Sequence, residues 1–318
     1  MDIPDIKEKW SGKINQVTIG ATKDQGGSRA KTVTVGGHTT LPFLTFEGEM
    51  ANKPVTAGYV ADTPPDWPDV VKNAIGKEVN SPVEWAQKNV EDFGVDLISL
   101  KLIGADPNVN DASPSDCAKV VQDILKAVDV PLIIWGCGDD EKDNQVLPEC
   151  SQAARGENCL MGSAKESNYM TIVALCKADK HKIISEAPVD INIGKQVNIL
   201  LQDAGFDLKD VVMFQTTAAL GYGFDYVYTI MERARIAGLK GDSLMAAPQI
   251  CDVAGETYRV KEAIGDEDVL PGWGSLEKRA PMWEAVCAGG YLQSGADLFI
   301  MAHPQAIKSM QETINKFM

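Results

Sequence analysis

Pro131-Leu132-Ile133-Ile134-Trp135-Gly136-Cys137-Gly138 is an apolar run that ends in a small-residue turn, and Glu141-Lys142-Asp143 follow it. Lys182-Ile183-Ile184-Ser185-Glu186 has the same form and leads through Ala187-Pro188-Val189-Asp190 into Ile191-Asn192-Ile193-Gly194-Lys195-Gln196. Each half reads as a buried strand, a turn and a helix, and the unit recurs about eight times along the chain. Short strands that are apolar throughout belong to parallel sheets covered on both faces. Such a βα alternation closes into a (β/α)8 TIM barrel or stays open as a doubly wound sheet. Eight units of roughly 25–50 residues favour closure, and in a barrel the chemistry sits where strands end and helices begin.

The barrel strands are expected at 42–46, 96–101, 132–135, 159–161, 182–185, 211–214, 244–247 and 298–301. Before them, 16–19 and 31–35 read as a β-hairpin. The chain therefore divides into an N-terminal β-hairpin extension, residues 1–40, set under the barrel, and the TIM barrel itself, residues 41–318. Helix punctuation supports the pattern. Ser113-Pro114 is an N-cap followed by proline at the first helical position, and Asp190 can cap the helix after the fifth strand. Two longer insertions, Pro54 to Pro82 and Gln249 to Ser275, are expected on the functional face.

Bulk composition narrows the function. A chain of 318 residues with 44% hydrophobic and 24% charged residues is an ordinary globular protein. Its formal charge of −15 disfavours nucleic acid as a partner. The start, Met1-Asp2-Ile3-Pro4-Asp5-Ile6, has no apolar segment of a signal peptide. No run approaches the length of a membrane span, so the expectation is a cytoplasmic protein. Seven cysteines at wide spacing form no C-x-x-C pair and read as reduced core residues, Cys137 excepted.

The residues expected just past the strands are Glu47, Gly104, Gly136, Cys137, Ser163, Glu186, Gln215, Thr216, Pro248, Gln249 and His303. They are polar but mostly uncharged, and they suit hydrogen bonding to a large amide-rich ligand better than bond breaking. Gly136, Cys137, Ser163, Glu186, Gln215, Thr216, Gln249 and His303 are the candidate cofactor-binding residues. Several have plainer readings. His303 precedes Pro304 and can cap a helix, Asp190 can be a cap alone, and Gly136-Cys137-Gly138 reads equally as a tight turn. His38 reads as a turn residue, and His181 sits at the lower side of the barrel.

Further stretches carry a resemblance: Ala127-Val128-Asp129-Val130-Pro131-Leu132-Ile133-Ile134, Glu141-Lys142-Asp143, Asp190-Ile191-Asn192, Lys195-Gln196-Val197-Asn198, Ile230-Met231-Glu232-Arg233 and Gly295-Ala296-Asp297-Leu298-Phe299-Ile300-Met301-Ala302-His303-Pro304. In this order and spacing the chain, from Pro42 onward, resembles the small subunit of the corrinoid iron–sulfur protein, the delta-type subunit of acetyl-CoA decarbonylase/synthase systems. The resemblance implies a non-catalytic TIM barrel paired as a heterodimer with a large subunit. That large subunit carries a [4Fe–4S] cluster and a corrinoid-binding domain. The corrinoid, of the cobalamin type with cobalt at its centre, lies between that domain and the barrel mouth. Its methyl group comes from methyltetrahydrofolate through a methyltransferase and goes to acetyl-CoA synthase, in the reductive acetyl-CoA pathway. The corrinoid motif Asp-x-His-x-x-Gly does not occur in this chain, so no axial histidine is expected from it. The alternative is a stand-alone pterin-binding TIM-barrel methyltransferase, for which Asp190 and Asn192 would have to mimic the pterin set. An aldolase or isomerase is a third reading.

Overall fold

The computed structural model describes residues 6–317, so most of the acidic start lies outside the described residues. Ten strands and eleven α-helices follow in chain order. β1 (Gln16–Ile19) and β2 (Val33–Gly36) form an antiparallel hairpin. The remaining strands form one parallel sheet: β3 (Val55–Ala61), β4 (Leu97–Lys101), β5 (Leu132–Trp135), β6 (Leu160–Ala164), β7 (Lys182–Glu186), β8 (Val211–Phe214), β9 (Ile250–Asp252) and β10 (Leu298–Met301). Their spatial order is β8-β7-β6-β5-β4-β3-β10-β9. A single parallel bridge, Met213 to Gln249, joins the two ends, with the Met213 amide donating to the Pro248 carbonyl at 2.8 Å. The eight strands thus make a nearly closed barrel with helices around it.

Those helices are α1 (Asp69–Ile75), α2 (Pro82–Glu91), α3 (Pro114–Ala127), α4 (Asp140–Ala153), α5 (Tyr169–Asp179), α6 (Ile191–Asp203), α7 (Phe224–Leu239), α8 (Val253–Thr257), α9 (Lys261–Ile264), α10 (Leu276–Ser294) and α11 (Pro304–Phe317). The expected caps form. Ser113 Oγ accepts from the Asp116 amide, and Asp190 Oδ1 accepts from the Asn192 amide at 2.7 Å.

The hairpin lies across the N-terminal ends of the strands. The Gly20 amide donates to the Asn158 carbonyl and the Asn15 amide to the Ala246 carbonyl. Val17, Ile19 and Val35 are fully buried against the barrel floor. Arg29 reaches under α3: its Nη1 donates to the Val128 and Val130 carbonyls, its Nη2 to that of Leu125, and its Nε pairs with Glu157 at 2.8 Å. His38 is no turn residue. It is buried, and its Nε2 lies 2.7 Å from Asp297 Oδ1.

Two barrel strands lie elsewhere than the sequence suggests. Residues 42–46 are turns, and the first barrel strand is Val55–Ala61, inside the stretch read as an insertion. The seventh is Ile250–Asp252, while Ser243–Met245 is a 3-10 turn capped by Asp242. In the first case the true strand carries Gly58 at its centre, which weakens the β signal. The glycine is required, because a Cβ there would lie 2.6 Å from Asn89 of α2. In the second case a three-residue strand has too little length to show any periodicity.

Candidate functional site

The C-terminal end of the barrel is closed by side chains that meet across its axis. Trp135 ends β5 and Phe214 ends β8, and their rings pack edge to face with centroids 5.1 Å apart. Lys101 ends β4 and Asp252 ends β9, and they pair across the barrel at 3.0 Å. The Lys101 ammonium also sits 3.4 Å from the Trp135 ring centroid, a cation–π contact. Both members of the ion pair are almost wholly buried, at 13% and 12% exposure. Burial pulls the Lys101 pKa below the usual lysine range, although Asp252 opposes that shift.

Around this floor stand the predicted residues. Ser163, in β6, donates its hydroxyl to Glu186 at the end of β7. Both are part-exposed at the mouth. Thr216 follows β8, and its hydroxyl donates to the Ala187 carbonyl at 2.7 Å. Thr216 has φ 63 and Val189 has φ 42, so two β-branched residues beside the mouth hold left-handed backbone. Such a conformation costs about 1–3 kcal/mol each and tends to mark functional sites.

Gly136-Cys137-Gly138 is a turn pinned from below. Asp143 of α4 accepts from the Cys137 amide at 2.8 Å and the Gly138 amide at 3.1 Å. Burial raises the Asp143 pKa. Burial also pushes the Cys137 thiol up to about 12, so it is neither a nucleophile nor a ready metal ligand at neutral pH. A Cβ on Gly136 would fall inside the Asp143 carboxyl group. Gly136→Ala is therefore expected to break both amide bonds and lower stability by about 2–3 kcal/mol. Thermal unfolding checks this, and an unchanged Tm would mean that Asp143 does not shape the turn.

One candidate is placed differently from expectation, and two more are buried. Gln249 precedes β9 and lies at the opposite, N-terminal end of the barrel, where its amide donates to Asp297. A seventh strand at 244–247 would put it past the strand end, whereas β9 begins only at Ile250. Gln215 follows inward-facing Phe214 and so turns outward. It is buried against α6, and Gly194 leaves the room it occupies. His303 is at the mouth but is 5% exposed, and its Nδ1 accepts from the Gln305 amide. It caps α11, and burial lowers its pKa to about 4, which keeps it neutral. His181 does lie at the lower end, bonded to the Cys159 amide. Of the other strand-end expectations, Glu47 and Pro248 precede their strands, while Gly104 is at the mouth and donates its amide to Asp62.

The mouth is also more ionic than the sequence list implies. Lys101, Asp252, Glu256 and Arg259 interact on one side of it. Burial raises the pKa values of both Asp62 and Glu256. Lys101 is legible as the last residue of its strand, and it reaches the mouth from within β4 rather than from the turn after it. Asp252 was hidden by the misplaced seventh strand. Six of the seven free cysteines are buried. Among the described residues no cluster of three or more His, Cys, Asp or Glu side chains could hold a metal ion. No helix among them is long and apolar enough to cross a membrane.

Solved structures with this fold include Xanthomonas albilineans dihydropteroate synthase with 4-aminobenzoic acid. That likeness has a TM-score of 0.55 and 12% identity, over 85% of this chain and 93% of that one. Yersinia pestis DHPS with a pterine-sulfa conjugate gives 0.54 and 13%, over 83% and 94%. At that identity the likeness establishes the TIM-barrel fold alone. Sequence relatives are closer. The acetyl-CoA decarbonylase/synthase complex subunit delta of Archaeoglobus fulgidus is 39% identical over 97% of this chain and 69% of its own length. The subunit of the same name from Methanocaldococcus jannaschii is 36% identical over 98% and 77%. Residues 16–313 match the family described as CO dehydrogenase/acetyl-CoA synthase delta subunit. With hairpin, barrel and mouth all inside that span, the chain belongs to the delta-subunit family of the acetyl-CoA decarbonylase/synthase complex.

Proposed function

We propose that the chain is the non-catalytic small subunit of a corrinoid methyl carrier, and that its barrel mouth forms one wall of the corrinoid site. One observation carries this reading: the mouth has a floor. Trp135, Phe214, Lys101 and Asp252 fill the axis at the level where a barrel enzyme keeps a pocket for a small substrate. A ligand at this end lies on the floor. A corrin suits such a surface, because it is a broad plate whose rim carries amide arms.

The polar groups at the mouth fit those arms. Ser163 and Glu186 offer a hydroxyl and a carboxylate at the mouth. At Gly138, Gly221 and Gly223 no other side chain or backbone crowds the Cβ position closer than 3.8 Å, which leaves the main chain approachable. The corrinoid would supply methyl transfer at its cobalt. The residues of this chain would bind the amide arms, orient the plate and keep water off one face of it. In this reading the methyl group arrives from methyltetrahydrofolate through a methyltransferase and leaves to acetyl-CoA synthase. A [4Fe–4S] cluster and the corrinoid-binding domain belong to the large subunit.

The pterin-binding alternative needs carboxylates free to hold a ring edge within a slot. Asp252 is tied to Lys101, Asp143 to the turn amides, Asp62 to the Gly104 amide, and Asp190 to the start of α6. Each of these carboxylates already has a partner in the chain.

The test is anaerobic purification of the chain with its large subunit, followed by cobalt analysis. A corrinoid spectrum in a roughly equimolar complex is expected. Ser163→Ala combined with Glu186→Gln removes about two hydrogen bonds and is expected to speed corrinoid loss about tenfold, with the melting temperature kept. A colourless, cobalt-free homo-oligomer would overturn the reading.

A further inference from the structure

The longest helix has two faces that do different things. α10 turns Cys287 and Tyr291 inward, toward the mouth loop 215–223. The Ala218 amide donates to the Tyr291 hydroxyl at 3.1 Å and the Leu220 amide to Cys287 Sγ at 3.4 Å. This loop, which carries Thr216, is therefore fastened to α10. The outer face of the same helix is apolar and open. Met282, Val286, Trp273 and Phe317 are each at least half exposed there. Scattered exposed apolar residues need no explanation, but a contiguous apolar face marks an interaction site.

The face is grooved. One groove of about 600 Å³ runs beside α10 between Phe224 of α7 and Phe317 of α11. Gly289 lies in it with nothing within 4 Å of its Cβ position. A second groove, of about 420 Å³, continues past Trp273, which stacks on Trp283 with centroids 5.7 Å apart. The two share Leu220 of the mouth loop and Val286. In a chain with 45 acidic and 30 basic residues, neither groove is lined by a single carboxylate. Lys278 and Arg279 are the charged lining residues. Arg279 is bonded to the Gly265 and Gly274 carbonyls, whereas Lys278 has no ion pair among the described residues.

From this geometry we infer that the outer face of α10 docks an amphipathic helix of the partner subunit, with apolar side chains in the grooves and a carboxylate opposite Lys278. The inference rests on the carrier reading above, which supplies the large subunit as the partner. Groove-and-helix recognition is the mode that fits a concave apolar trough with a glycine floor. A second copy of this chain does not fit. A two-fold contact would have to answer Lys278 from the same grooves, and neither is lined by a carboxylate. The proposal also accounts for the pinned loop. A helix seated beside Leu220 holds the partner next to the mouth, so docking and cofactor enclosure share one element.

Gly289→Leu and Met282→Lys test this. The leucine fills open space on a helix where it is a better helix former than glycine, and the lysine replaces an exposed side chain, so both variants should fold. Each is co-expressed with the large subunit, and the masses of the complex and of the isolated chain are measured by light scattering after gel filtration. Wild type is expected to pair one to one, and each variant to bind about tenfold or more weakly. An isolated monomer is expected. Variants that bind as wild type does would overturn the docking face and leave the carrier reading standing. A wild-type homodimer that either variant breaks would assign the face to a second copy and overturn the proposal. Wild type that fails to bind the large subunit would remove both readings together.

Discussion

Asp297→Ala is expected to destabilise the protein by about 3–5 kcal/mol, the usual cost of removing one member of a buried ion pair and stranding the other. Asp297 stands at the base of β10, where Arg235 Nη2 reaches it at 2.6 Å, His38 Nε2 at 2.7 Å and the Gln249 amide at 2.8 Å. Arg235 and Asp297 are each about 1% exposed. Without the carboxylate the guanidinium would keep only the Gly295 carbonyl. The contact set joins the N-terminal segment, α7 and two barrel strands, so its loss loosens the closing seam. Burial pushes the Asp297 pKa up, but Arg235 and His38 outweigh it and hold the carboxyl below its ordinary range. A lowered folded-state pKa adds stability that is present above the unfolded pKa and is lost as pH falls through the folded one. Wild type should therefore lose this contribution only below about pH 4, and Asp297→Ala should lack it at every pH. Urea unfolding at neutral pH measures the difference. A shift worth less than about 1 kcal/mol would mean that the desolvation of these charges cancels their attraction.

This network also shows where the sequence is readable and where it is not. Six of the eight barrel strands were legible because Leu97–Lys101, Leu132–Trp135, Val211–Phe214 and their like are short, apolar and followed by polar turns. The same rule failed at Val55–Ala61, whose small residues serve close packing against α2, and at Ile250–Asp252, which is too short to carry a pattern. Those two displacements bear on the site. With the seventh strand set early, Gln249 appeared to face the mouth and Asp252 fell into a loop. The cross-barrel pairs Lys101–Asp252 and Trp135–Phe214 were beyond sequence reasoning for a different cause. Each joins strands far apart in the chain, and which residues meet depends on barrel closure and stagger. Local features survived: Ser163, Glu186 and Thr216 are at the mouth because a strand end is a local property. The direction of Gln215 did not survive, since a one-residue step along a strand reverses the face.

Glu284→Gln is expected to remove a pH dependence of stability that wild type shows between about pH 4.5 and 7. Glu284 is fully buried in α10 and has no cationic partner among the described residues. Its carboxyl accepts from the Ala302 amide at 2.7 Å, the His303 amide at 3.1 Å and the Tyr258 hydroxyl at 2.5 Å. Burial favours the neutral acid and the three donors favour the anion; burial prevails and raises the pKa from 4.5 to about 7. A raised folded-state pKa means that the folded chain binds the proton more tightly than the unfolded one. The stability it contributes is then full below about pH 4.5 and is lost as pH rises through about 7. The whole change is about 3 kcal/mol at 1.36 kcal/mol per pKa unit. Glutamine cannot ionise, so the variant curve should be flat across the window and cross the wild-type curve, since it also gives up one acceptor. Parallel wild-type and variant curves would show that another group titrates there. The position gives the titration a functional reach. Glu284 holds the turn that ends β10 at the mouth, and it lies two residues from Met282 and from Val286 on the opposite face of the same helix. Ionisation of this one side chain places a buried negative charge between the floor of the mouth and the apolar face of α10.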